Sequence, residues 1–87
     1  MYIILVYDIG TKRVNKMLRL CRRYLNWIQN SVFEGELTKI QLRELILSAK
    51  KIMNNDDDSM IIFTSRQDSW MEKQVIGKEK NNLEQFL

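Results

Sequence analysis

The stretch YIILVY, Tyr2 to Tyr7, closed by Asp8-Ile9-Gly10, decides the fold. An unbroken β-branched, aliphatic and aromatic run, apolar on both faces, predicts a strand in the centre of a sheet. From Thr11 the period changes: Val14, Met17, Leu18, Cys21, Leu25 and Ile28 recur every three or four positions, which predicts a helix with one apolar side. Residues Trp27 to Leu37 (WIQNSVFEGEL) lose that period and predict a strand that turns or kinks at Glu34-Gly35 into another. Thr38 with Gln41 three residues on has the form of a capping box. It opens a helix whose Leu42, Leu45, Ile46, Ala49, Ile52 and Met53 share one face. Asn54 to Asp58 ends it, and Ser59 to Thr64 (SMIIFT) is the next strand. Short strands are expected at Gln74 to Ile76 and at Leu83 to Leu87. The order strand, helix, strand, strand, helix, strand predicts an α+β, ferredoxin-like split βαβ domain, an antiparallel sheet with two helices on one face. It is expected to span residues 1–77, followed by a C-terminal tail, 78–87.

At 87 residues the chain holds one domain at most. A chain of this size buries only roughly 60 to 65% of its unfolded surface, and with Cys21 its single cysteine no internal disulfide adds to that. A homodimer is therefore the expected supplement. No apolar run is long enough to span a bilayer. The apolar start runs into Tyr7-Asp8 without a basic segment or a cleavage motif, so the expected compartment is cytoplasmic.

The absence of histidine excludes Ser-His and Cys-His nucleophiles, His-bearing zinc sites and an imidazole base. Catalysis would have to rest on carboxylates, tyrosine, lysine or metal-bound water. Net charge is +3, unevenly spread: Thr11 to Trp27 holds six basic residues and no acid, leaving eight bases against eleven acids elsewhere, a net −3. Lys12, Lys16, Arg19 and Arg23 fall at helical steps of four, three and four, a stripe roughly 60° wide opposite the apolar face. The stripe is either a solvated helix face or a surface for a polyanion, and the lack of interspersed acid points to phosphate.

Asp8 stands just past the carboxyl end of a buried strand. It is either a turn residue or a carboxylate projected from a rigid base toward a ligand such as Mg²⁺, which commonly takes one or two carboxylates plus waters and substrate phosphates. A two-fold dimer bringing Asp8 beside its copy would supply the second. Asp56 to Asp58 lack the spacing and glycine of an EF-hand and are expected to form a solvated helix-exit turn. Cys21 is expected in the core, as are Tyr24, Trp27 and Phe33, although these aromatics could stack bases.

Tyr7-Asp8-Ile9, the following Lys12-Arg13, and Gln29-x-Ser31-Val32-Phe33-Glu34-Gly35, in this order and at this length, resemble the Cas-two family of CRISPR-associated nucleases, the smaller core subunit of spacer acquisition. The similarity runs from Met1 through Val75-Ile76-Gly77. The resemblance implies a homodimer of ferredoxin-like protomers in which Asp8 meets its symmetry mate and binds a divalent metal, Mg²⁺. It implies a metal-dependent endonuclease acting on RNA or double-stranded DNA, and a partner for the larger, Cas-one integrase subunit. It places Tyr7, Asp8, Arg13, Ser31 and Phe33 near the metal or the nucleic acid as catalytic candidates, and Lys12, Arg13, Lys16, Arg19 and Arg23 as nucleic-acid contacts. The tail would add a strand to the partner's sheet. One departure is the short connection, Ile9-Gly10-Thr11, before Lys12, where many relatives carry a longer basic loop.

Enzyme and non-catalytic scaffold require the same fold, dimer and charge, so both remain open at this level. An RRM-like RNA binder would need a glycine-aromatic signature on a central strand, which is absent. A regulatory ligand-binding dimer gets no support from the cationic stripe.

Overall fold

Strand β1 (Tyr2–Asp8) lies at the middle of a five-stranded antiparallel sheet, as its two apolar faces require. The computed structural model describes residues 1–65 and 71–79. Strands β2 (Asn26–Gln29), β3 (Val32–Glu36), β4 (Ser59–Ser65) and β5 (Met71–Gly77) complete the sheet in the order β2-β3-β1-β4-β5. Because β3 sits between β1 and β2, the unit is a split βαβ, and the architecture is ferredoxin-like. Alternate β1 residues Ile3, Leu5 and Tyr7 join Phe33, Met60 and Ile62 under helices α1 (Val14–Tyr24) and α2 (Lys39–Ile52). The helices contribute Met17, Leu20, Cys21, Leu45 and Ala49 to one core. The other sheet face carries Ile4, Val6, Val32, Ile61 and Phe63, a second apolar layer turned away from the helices. The capping box forms as expected, with Gln41 N–H donating to Thr38 Oγ1 at 3.1 Å and Thr38 N–H to Gln41 Oε1 at 2.9 Å.

The first helix is shorter than its periodicity suggests. It ends at Tyr24, and Leu25, in extended backbone, closes it by donating to the Cys21 carbonyl at 2.8 Å. Ile28, which fits the helical period, belongs instead to β2, where the register slips between Trp27 and Gln29 and leaves it exposed. Pairing of Asn26 and Trp27 with β3 wins over one more helical turn, because the sheet bonds extend a ladder already anchored on β1.

The turn also falls elsewhere. It comes at Asn30, whose φ of 47° suits asparagine, and β3 passes through Glu34-Gly35 without a break. A side chain at Gly35 would crowd Leu25, so the glycine serves close packing of the chain leaving α1. Trp27 is half exposed rather than core, with its indole N–H donating to the Asn30 carbonyl at 2.8 Å. The last described strand is longer than the expected Gln74 to Ile76. The expected strand at Leu83 to Leu87, and the tail from residue 80, lie outside the described residues.

Candidate functional site

Asp8 ends β1 and is exposed, directly opposite Ser59 of β4 in the ladder. Its position is fixed from beneath. Tyr7 N–H donates to the Ser31 carbonyl at 3.2 Å, and the Tyr7 ring stacks on Phe33 with centroids 5.8 Å apart and planes inclined by 28°. Phe33 is fully buried and Tyr7 nearly so, both in the helix-side core on the face of the sheet opposite Asp8, instead of standing open to a substrate. Burial raises the Tyr7 phenol above its ordinary value. It remains protonated near neutrality and cannot serve as a base there. Ser31 joins this group through its backbone and is half-buried.

Arg13, a candidate that the family resemblance offers, is engaged by a carboxylate of its own chain. Its Nε donates to Asp58 Oδ2 at 2.6 Å and its Nη2 to Asp58 Oδ1 at 3.0 Å, a bidentate fork. The same carboxylate accepts Gly10 N–H at 2.8 Å and Asn54 N–H at 2.9 Å. Asp58 is fully buried, which corrects the expectation that the whole Asp56 to Asp58 run is solvated; only Asp56 and Asp57 are exposed. The Arg13 guanidinium, followed by the two backbone donors, holds the Asp58 carboxyl well below the usual carboxylate range. Arg13 therefore ties the turn after β1 to the exit of α2, and its fork is already used. Gly77 closes the same corner: its φ is +83°, a Cβ there would run into the Asp58 carbonyl oxygen, and Lys78 N–H donates to that oxygen at 2.9 Å.

The cationic stripe is present and open. Lys16, Arg19 and Arg23 lie exposed on α1, and Lys12 is exposed in the turn before it, outside the helix proper. The ion pairs found among the described residues engage Met1, Arg13 and Lys73, not these four. Arg22, beside the stripe, lies over the Trp27 ring at 5.5 Å from its centroid, a cation–π contact at the start of β2. Cys21 is buried, and burial pushes its thiol up to about 12, so it is a packing group.

Among the described residues no group of three or more metal-ligating side chains gathers. Asp8 is an exposed carboxylate at the end of the central strand. Sequence reasoning missed the Arg13–Asp58 pair, because an aspartate closing an acidic turn carries no signal of burial. It also passed over Ser59, whose neighbour across the ladder emerges only from the register.

The family model described as CRISPR associated protein Cas2 matches residues 1–73. The chain is 45% identical over its whole length, and over the whole of the other chain, to a CRISPR-associated endoribonuclease Cas2 of Dictyoglomus turgidum. A solved structure described as a crystal structure of Cas2 superposes with a TM-score of 0.69 at 41% identity, covering 95% of this chain and 82% of that one. The structure of Streptococcus pyogenes Cas2 gives a TM-score of 0.70 at 26% identity, covering 77% of this chain and 88% of its own.

Proposed function

Since the chain belongs to the Cas2 family of CRISPR-associated proteins, we propose that it is a divalent-metal-dependent endonuclease cleaving phosphodiester bonds of RNA or double-stranded DNA, acting as a two-fold homodimer. The observation that carries the reading is Asp8: an exposed carboxylate on the rigid end of a central strand, in a protein without histidine. The name of the Dictyoglomus turgidum relative, an endoribonuclease, supports the reaction class.

The donor set fits Mg²⁺ only in part within one chain, since Asp8 provides one carboxylate. Such an ion keeps several waters and accepts one or two carboxylates, so Asp8 and its copy across a two-fold axis would hold it. When bound, the ion supplies charge neutralisation at the scissile phosphate and an acidified water. The chain's own residues hold everything else. Tyr7 and Phe33 fix the end of β1 by stacking, and the Arg13–Asp58 fork fixes the turn beyond it. Lys12, Lys16, Arg19 and Arg23 grip phosphates without reading base edges, which suits sequence-independent binding.

The runner-up is a non-catalytic dimeric scaffold that clamps DNA and bridges integrase subunits. It is favoured by the absence of a multi-carboxylate cluster among the described residues and by the exposed cations lying along a helix. Incubating the purified protein with single-stranded RNA and with duplex DNA, in Mg²⁺ and in EDTA, separates the two. The nuclease reading expects cleavage in Mg²⁺ alone. Intact substrates that are nevertheless bound would transfer the assignment to the scaffold.

A further inference from the structure

Ser59 carries a side-chain oxygen that is buried without a hydrogen-bond partner. The residue is fully buried, and a hydroxyl left unpaired in such a place lowers folding stability. An alanine would occupy the same strand position without that loss. In the ladder Ser59 has two direct neighbours, Asp8 on β1 and Gly77 on β5. Gly77 has no side chain to offer. The next ladder residues on the same face, Val6, Ile61 and Val75, are apolar, so among these described ladder neighbours Asp8 carries the polar side chain.

We infer that Ser59 is a positioning residue for Asp8: its Oγ–H donates to a carboxylate oxygen of Asp8 when a divalent cation is held there, fixing the orientation of the carboxylate. The inference rests on the reading of Asp8 as the cation-bearing group. The Ser59 oxygen is fixed in its buried place, whereas the exposed Asp8 side chain can change rotamer, so the hydroxyl is unpaired in this structure and is recruited when a bound cation turns the carboxylate toward it. Partners of this kind behind a metal-ligating carboxylate commonly contribute about 10-fold or more to metal affinity.

The test uses the full chain as wild type, Ser59→Ala, Ser59→Thr and Asp8→Asn. Mn²⁺ binding is titrated by electron paramagnetic resonance, and melting is followed in EDTA. Ser59→Ala is expected to melt higher than wild type, because the unpaired hydroxyl is gone, and yet to bind Mn²⁺ about 10-fold or more weakly. Ser59→Thr, which keeps the hydroxyl, is expected to bind within about threefold of wild type, well inside the loss predicted for alanine. A purely structural serine cannot move melting and metal affinity in opposite directions. If Ser59→Ala binds as wild type does while Asp8→Asn loses Mn²⁺, the inference is overturned and the Asp8 reading stands. Equal weakening in the alanine and threonine variants places the effect in packing and also overturns it. If wild type and Asp8→Asn bind Mn²⁺ alike, the Asp8 reading fails and the inference falls with it.

Discussion

Arg13 closes on both oxygens of Asp58, 45 residues away in the chain, through its Nε at 2.6 Å and its Nη2 at 3.0 Å. The fork joins the turn that follows Asp8 to the end of α2, and Gly10 and Asn54 complete the carboxylate's bonding. A buried ion pair adds little over an apolar substitute, but losing one partner strands the other's charge. Its weight therefore shows on removal.

Asp58→Asn should cost about 3 kcal/mol at pH 7, the order expected for breaking a buried pair. The folded carboxyl titrates below its unfolded value of about 3.9, so its contribution is full above that pH and is lost as pH falls below it. Urea unfolding at pH 7 and pH 3 should show the gap between wild type and variant shrinking in acid. A gap that stays constant would mean that the carboxylate's charge is not what the corner uses.

Nucleic-acid binding should separate the cations by position. Lys16→Gln and Arg19→Gln are each expected to remove roughly 0.7 to 0.9 from the log-log salt slope of binding, one phosphate contact apiece. Arg13→Gln should leave that slope unchanged, since its donors are held by Asp58. A flattened slope in Arg13→Gln would return this residue to the phosphate-binding set.

The β-order and the core face of each helix were legible because periodicity and the capping box are local signals. Asp8 was legible as a carboxylate closing an apolar run. Other features were not, and Ile28 and Asp58 show why. The Ile28 position satisfied a helical spacing by coincidence, and only the pairing of Trp27 with Phe33 assigns it to a strand. Asp58 looked like its exposed neighbours Asp56 and Asp57, and its burial depends on Arg13, Gly10 and Asn54 arriving from other parts of the chain. Long-range satisfaction of a buried charge leaves no periodic trace.

Sedimentation at micromolar concentration should give twice the chain mass. The sheet's helix-free face bears Ile4, Val6, Val32, Ile61 and Phe63, and in the proposed dimer association with a second copy would bring Asp8 a second carboxylate. A monomer at that concentration would contradict the shared site.

The most direct test of the account is Mg²⁺-supported cleavage by wild type and Asp8→Asn, with dimerisation and salt-dependent duplex binding measured on the same samples. The substitution keeps the size of the side chain and removes its charge, so cleavage should disappear while dimer and binding persist. Undiminished cleavage by Asp8→Asn would contradict the assignment of Asp8 as the metal-bearing residue.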